Sequence, residues 1–236
     1  TISPALIYTI GQADFAEDRA KTDFGFRLLD YLQACASNAT AASNMHQRQL
    51  YENHAEFREL VSRIESDKRS YYADVEIAYT TDVELPQRGG GQRSVPTMIC
   101  RLPPQSHLLK HWARSIGAPS LQPAVPYECL VVPYDPVGDS PSGIEEHFRR
   151  VVISVNGNSD ISLGEIGRHL ELREQQERER RGIVQQGDAR FPEISNSPDP
   201  WYDGRGHNYT IIDSPRGGTL LSYQQILACA FPTAEA

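Results

Sequence analysis

The chain has 236 residues and a formal net charge of −8, with 39% hydrophobic and 23% charged residues, which are ordinary values for a soluble globular protein. The acidic balance excludes a global basic field for nucleic acid or an anionic membrane, so we expect no nucleic-acid partner. No apolar run approaches the roughly 20 residues that cross a bilayer, so we also expect no membrane insertion within this chain.

The cysteines indicate a reducing compartment. Cys35, Cys100, Cys129 and Cys229 lie far apart in apolar surroundings, and none belongs to a C-x-x-C pair. We therefore expect buried reduced thiols, not disulfides or a zinc cluster, which favours a cytoplasmic location. Because the chain starts at Thr1 without a basic-then-apolar leader, we expect a processed chain or a fragment of a longer one. The cytosolic domain of a membrane-attached protein stays an alternative.

The first third of the chain predicts one strand and two helices. The apolar run ALIYTI at 5–10 is typical of a buried strand. Apolar residues at helical spacing then predict an amphipathic helix over 14–37 and a longer one over about 42–68. Because the link between these helices is short, we expect them to form an antiparallel pair.

Beyond Ser70 the hydrophobic period changes. Alternation predicts strands over 73–79 and 97–102, separated by the glycine-rich loop QRGGGQR at 87–93. A short helix over 106–116 follows. The proline-rich link near 117–126 is the one candidate for an internal domain boundary.

The middle of the chain predicts the centre of the sheet. The apolar run at 127–132 suits a strand buried on both faces, and alternation predicts another strand over 149–155. Ser162 and Glu165 have capping-box spacing and predict the start of a helix. The balanced charges of 171–181 indicate that this helix ends facing water.

The last part of the chain predicts a hairpin and a closing helix. After a polar loop at 182–200 we expect a strand at 209–213, a turn at 214–218 and a partner strand at 218–221. Residues 223–231 should form a closing helix or an edge segment. Intermingled helices and strands predict a single α/β or α+β domain over 1–236. Its mixed sheet should have about five to seven strands, with the antiparallel helix pair and further helices packed on it.

Residues 198–222, which we call the C-terminal segment, gather polar and aromatic side chains between glycines. The candidate binding residues in it are Trp201, Tyr202, Asp203, Arg205, His207, Asp213 and Arg216. Guanidinium groups bind carboxylates and phosphates in a forked geometry, and a tryptophan is a common interface anchor. No complete catalytic set is present in the sequence. We therefore expect a non-enzymatic binding or regulatory domain of a larger assembly or longer protein. It would recognise a protein partner or a small anionic ligand, and a homo-oligomer is compatible with the sequence.

An enzyme is the alternative from another class. A hydrolase or transferase of an anionic substrate could use Asp203 and His207 for proton transfer, with Arg205 and Arg216 holding the anion. A purely structural interpretation of the C-terminal segment stays open: a hairpin whose turns use Asp and Gly and whose arginines pair with surface carboxylates. A third hypothesis for the function is a metal-dependent protein that uses His107 and His111.

Two other motifs carry weaker hypotheses. His107 and His111 are four residues apart on a predicted helix and could face one metal ion, but two ligands are too few, so we expect no metal or cofactor. The loop at 87–93 has three glycines between arginines and could cradle a phosphate. It lacks the P-loop Lys-Ser/Thr and a following helix, so a flexible hairpin tip is favoured.

Overall fold

The structure is a computed structural model that describes residues 55–117, 125–138, 147–183 and 199–232. The chain divides into two compact units, Thr1–Arg69 and Ser70–Ala236. The predicted strand at 5–10, the helix at 14–37 and the beginning of the helix at 42–68 lie outside the described residues, so the helix pair is not confirmed. The same holds for 118–124, most of the proposed boundary.

The sheet belongs to the second unit. The described strands are β1 (Tyr79–Pro86), β2 (Gln92–Ile99), β3 (Cys129–Pro136), β4 (Phe148–Val155) and β5 (Ile211–Asp213). The described α-helices are α1 (Ala55–Ile77), α2 (Leu109–Ser115), α3 (Gly164–Arg180) and α4 (Tyr223–Ala230). The strands are ordered β1-β2-β3-β4-β5, and only the β2–β3 pair is parallel. This mixed sheet confirms the predicted α+β class.

Strand β3 is the centre of the sheet, as its apolar sequence predicts. Residues 129–133 are all buried, because neighbouring strands flank β3 on both sides and helices cover the sheet. Side chains of all five strands pack with α3 and α4 into one core cluster. It includes Val83, Leu85, Val95, Cys129, Val131, Val151, Ile153, Ile166, Leu170, Trp201, Ile212, Tyr223, Ile226 and Leu227. On a strand successive side chains point to opposite faces, so the buried Leu130 and Val132 face the other side of β3.

The predicted strand at 73–79 is wrong, because α1 continues to Ile77 and β1 begins only at Tyr79. The alternation of Ala73, Val75 and Ile77 is accidental, and Ile77 is exposed. Burial follows a helical period instead, through Tyr71 and Asp74. The Tyr71 hydroxyl donates to the Gly117 carbonyl at 2.6 Å. The Asp74 carboxylate accepts from the backbone N–H groups of Gln105 and Ser106, each at 2.9 Å.

The first hairpin differs from its prediction in extent. Strand β2 begins at Gln92, inside the predicted loop, and ends at Ile99 instead of reaching residue 102. The connection is a tight turn in which Gln87 N–H donates to the Gly91 carbonyl at 3.1 Å. Gly90 and Gly91 adopt positive φ angles of 92° and 87°, which is the conformation that glycine permits at low cost.

The predicted capping box at Ser162 and Glu165 is wrong. Helix α3 begins at Gly164 without a side-chain cap on its N-cap residue, and Ser162 Oγ accepts only a long bond from Gly164 N–H, at 3.4 Å. The reciprocal box forms at the closing helix α4, which was predicted. There Ser222 Oγ accepts from Gln225 N–H at 3.2 Å, and Gln225 Oε1 accepts from Ser222 N–H at 2.9 Å.

The C-terminal segment forms one short strand, not a two-stranded hairpin. Strand β5 pairs with β4, and the predicted partner strand at 218–221 is wrong. The outer edge of β5 is bridged instead by Tyr202, whose N–H and C=O exchange hydrogen bonds with Asp213 at 2.8 and 3.0 Å. Across the described ranges, no helix is both long enough and apolar enough to cross a membrane.

Candidate functional site

Trp201, the aromatic residue of the C-terminal segment, belongs to the core. Its side chain is 2% exposed and lies in the main hydrophobic cluster. The Trp201 backbone N–H donates to Glu171 Oε2 at 2.6 Å, and its indole Nε1–H donates to Glu174 Oε2 at 3.3 Å. Trp201 therefore anchors the segment to helix α3 and is not presented to solvent.

Glu174 fixes a second part of the same segment. Its carboxylate is fully buried, and it accepts from Thr219 Oγ1 at 2.6 Å and from Leu220 N–H at 2.9 Å. Arg178 Nε lies 3.6 Å from Glu174 Oε1. A buried carboxylate is tolerated only when paired and hydrogen-bonded, and Glu174 meets both conditions. We call Glu171 and Glu174 the carboxylate brace, because together they hold two separated stretches of the segment against α3.

Asp203 and Arg205 form a closed local pair. Asp203 is 2% exposed, and its carboxylate accepts from Arg205 N–H at 3.2 Å, Nε at 3.3 Å and Nη2 at 3.1 Å. Gly204 between them has a φ of 63°, and a Cβ there would lie 2.2 Å from the Ile211 carbonyl oxygen. Glycine is thus required at 204. His207 ends the 3₁₀ helix Arg205–His207 and is exposed.

Asp213 is paired on the surface of the sheet. It accepts from Arg150 Nε at 3.1 Å and from Nη2 at 2.7 Å, a bidentate geometry. The Arg150 guanidinium also lies 5.4 Å from the centre of the Tyr134 ring. These contacts hold the pKa of Arg150 above its ordinary value, mainly through the hydrogen bonds to Asp213. Asp213 therefore secures the β4–β5 edge.

Arg216 lies on a turn that is organised from inside the protein. The backbone N–H groups of Arg216 and Gly217 donate to the two carboxylate oxygens of Asp199, at 2.9 and 2.7 Å. The Arg216 side chain is exposed, as is that of Arg149 on β4. Thr219 N–H donates to the Arg149 carbonyl at 2.9 Å, and a Cβ on Gly218 would lie 3.3 Å from Arg149 Cβ. We call Arg149 and Arg216 the basic corner.

The predicted site residues therefore do not form one surface. Trp201 and Asp203 are buried, Arg205 and Asp213 are paired, Tyr202 is half-buried on the sheet edge, and His207 and Arg216 are exposed.

The carboxylate brace differs from the sequence-based expectation, because the balanced charges at 171–181 predict a helix end that faces water. The available signal was helical spacing, since Glu171, Glu174 and Arg178 continue the stripe that begins at Ile166 and Leu170.

A concave site that the sequence did not suggest lies beside the β1–β2 hairpin. We call it the arginine pocket, and its volume is about 430 Å³. The residues lining it are Arg93, Arg114, Pro126, Tyr127, Glu128, Asn156, Asn158, Ser159 and Asp160. They come from β2, from α2, from the stretch before β3 and from the turn after β4.

Arg93 is neutralised within this pocket. Its guanidinium binds both carboxylate oxygens of Glu128, one at 2.9 Å, and also donates to Asp160 Oδ1 at 3.0 Å and to Ser159 Oγ at 3.2 Å. Hydrogen bonds from Arg93 hold the pKa of Glu128 below its ordinary value. Asp160 also accepts from the Gln87 side chain, so the pocket wall is tied to the glycine-rich turn.

Arg114 is not neutralised in the same way. Its Nη2 donates to the Val155 carbonyl at 2.6 Å and makes a long contact with Ser154 Oγ at 3.4 Å, and within the described ranges it forms no ion pair. Burial lowers the pKa of Arg114. Partial burial and, next, the charge of Arg114 lower the pKa of Lys110, one helical turn earlier. Among the residues that the structure describes, the positive charges of Lys110 and Arg114 therefore have no carboxylate partner.

The described residues contain no group of three or more His, Cys, Asp or Glu side chains that could hold a metal ion. The His111 ring packs against Trp112 in an edge-on arrangement, with ring centres 5.1 Å apart.

Comparisons with known proteins add no family. No protein-family model, no curated protein and no solved structure gives a significant match to this chain.

Proposed function

We propose that the protein is a non-enzymatic binding domain that recognises an acidic protein partner through the basic corner. This proposal is carried by three observations: Arg149 and Arg216 are both exposed, Arg149 contacts the turn that carries Arg216, and neither side chain has a hydrogen-bond or ion-pair partner within the described residues. Arginine forms bidentate bonds with carboxylates and is enriched at the energetic centres of interfaces.

The backbone of the basic corner is ordered without a partner, which supports this role. Asp199 holds the turn that carries Arg216, and the carboxylate brace holds Thr219 three residues later. The Arg149 carbonyl accepts from Thr219 N–H at 2.9 Å, and its neighbours Phe148 and Arg150 pair with β3. Because the main chain is already fixed, binding would immobilise only the two arginine side chains, which lowers the entropic cost of association.

The geometry favours binding over proton transfer. A general acid or base must reach the substrate proton directly or through one water molecule. Asp203 is buried and its carboxylate is engaged by Arg205 through three hydrogen bonds, while His207 lies in the solvent at the end of the 3₁₀ helix. The hydrolase or transferase hypothesis would need Asp203 to leave Arg205 before it could act.

We place this domain in the cytosol as part of the same proposal. Cys100, Cys129 and Cys229 are free thiols, and the first two are buried. Free thiols are typical of proteins kept in a reducing compartment.

An acidic peptide tests the proposed function. We would measure binding of a fluorescent octaglutamate peptide to the full chain by anisotropy at low salt, for the wild type and for the double variant R149Q/R216Q. We expect binding to weaken about tenfold, since two charge-assisted contacts are removed.

The matched control is R88Q/R101Q, which changes net charge equally at two exposed arginines elsewhere. It should weaken binding by less than about twofold, the loss expected from net charge alone. Equal weakening in the two double variants would mean that the basic corner has no special role.

A further inference from the structure

The arginine pocket is separate from the basic corner. Arg149 lies at the start of β4, whereas Asn156, which lines the pocket, follows the end of the same strand. At the usual rise per residue these two positions are roughly 20–25 Å apart. A ligand in the pocket would therefore be independent of the partner proposed above.

Three buried polar groups in the pocket wall lack a hydrogen-bond partner. Within the described residues, Nε of Arg93, Nε of Arg114 and the Tyr127 hydroxyl are inaccessible to solvent and form no hydrogen bond. Buried unsatisfied donors are uncommon in folded proteins, and each calls for a physical reason. Because solvent does not reach either Nε, an oxygen-rich ligand in the cavity would meet the Arg114 guanidinium at its Nη atoms.

The charge balance of the lining selects the kind of oxyanion. Arg93 and Arg114 contribute two positive charges, and Glu128 and Asp160 contribute two negative charges, so the lining is neutral. Glu128 and Asp160 share the single positive charge of Arg93, and Arg114 forms no ion pair within the described residues. One negative charge could pair with Arg114 and would leave the lining with one net negative charge, whereas a dianion such as a phosphate monoester would be repelled more strongly by the two carboxylates.

We infer that the arginine pocket binds the carboxylate group of a small organic molecule, with Arg114 as its principal cation. Asn156 and Asn158 place amide groups in the same wall, where they can donate to carboxylate oxygens. Pro126 and the carbon atoms of the Tyr127 ring form an apolar part of the wall for the body of the ligand. A volume of about 430 Å³ is within the usual range for small-molecule sites.

Three probes that share one ring test this inference. Benzoate is a monoanion, phenyl phosphate is a dianion at slightly alkaline pH, and benzamide is neutral. Each would be titrated into the full chain at constant ionic strength while the arginine Nε–H signals are followed by nuclear magnetic resonance. Benzoate should give saturable shifts of the Arg93 and Arg114 signals, phenyl phosphate should bind several-fold more weakly, and benzamide should cause no saturable shift.

Variants separate ligand binding from loss of structure. R114Q should weaken benzoate binding about tenfold, and R149Q, at the basic corner, should leave it unchanged. E128Q makes the lining more positive, so it should strengthen phenyl phosphate binding, an effect that unfolding cannot produce. The inference is overturned if benzoate gives no saturable shift, if R114Q binds it as the wild type does, or if phenyl phosphate binds more tightly than benzoate to the wild type.

Discussion

Replacing Glu174 should destabilise the fold more than any other single charge change on α3. Its oxygens accept from Trp201 Nε1, Thr219 Oγ1 and Leu220 N–H, and its partner Arg178 is also buried. Glu174→Ala would remove the acceptor of these three donors and the carboxylate nearest to Arg178. Breaking a buried ion pair by removing one partner costs about 3–5 kcal/mol, and we expect a loss in that range.

Glu174→Gln keeps the shape of the side chain, so it tests the loss of the charge without a loss of packing. One of its two oxygens becomes an NH₂ group, which must face either Leu220 N–H or the Trp201 and Thr219 donors. A donor facing a donor leaves at least one buried group unsatisfied, at about 1–3 kcal/mol. We therefore expect Glu174→Gln to cost about 2 kcal/mol, between the wild type and Glu174→Ala.

Urea unfolding followed by tryptophan fluorescence measures these losses. Trp201 is one of two tryptophans in the chain, so the Trp112→Phe background makes the signal report on the braced segment. The control is Glu179→Gln, an exposed position on the same helix, which should change the free energy of unfolding by less than about 0.5 kcal/mol. If Glu174→Gln were as stable as Glu179→Gln, the carboxylate brace would not hold the segment and our account of its rigidity would be refuted.

Two further predictions concern the backbone and the thiols. Gly204→Ala should lower the free energy of unfolding by about 2 kcal/mol or more, because of strain at positive φ and a clash with Ile211. The control is Gly206→Ala, which should be tolerated because a Cβ at Gly206 meets nothing within 4 Å. Thermal melting would compare the two variants. Burial raises the pKa of Cys100 and Cys129 from 9.0 to about 12, so both should resist alkylation at mildly alkaline pH until urea is added, as read by peptide mass spectrometry. Equal alkylation of native and unfolded protein would contradict the burial of these thiols. Because the pKa values of Cys100 and Cys129 are raised in the folded state, the unfolded chain loses these protons first, and the free energy of unfolding should fall as the pH rises above 9.

Elements with a strong hydrophobic period could be predicted from sequence alone. The continuous apolar run of β3, the alternation of β4 and the stripe of α4 each match the structure to within a few residues. In these elements the side-chain pattern and the burial that it produces agree, so no long-range information is needed.

The failures occurred where a distant contact decides the local structure. The end of α1 is helical because Asp74 binds the backbone of Gln105 and Ser106, which no local pattern can reveal. Charged residues at 171 and 174 are buried because residues 201 and 219–220 supply hydrogen-bond donors. Tertiary contacts override intrinsic preference in both cases.

Long-range contacts also decide where the predicted site residues lie. Polar residues cluster along the sequence of the C-terminal segment, but the fold buries Trp201 and pairs Arg205 with Asp203. The arginine pocket could not be predicted, because Arg93, Arg114 and the turn at 156–160 meet only in the folded chain.

The proposed function is tested most directly by asking which arginines an acidic partner touches. In a titration of the full chain with octaglutamate peptide, the Nε–H signals of individual arginines would be followed by nuclear magnetic resonance. Our account predicts that the signals of Arg149 and Arg216 move together and saturate, while those of the exposed Arg88 and Arg101 stay in place. Shifts spread evenly over the exposed arginines, or largest at another site, would contradict it.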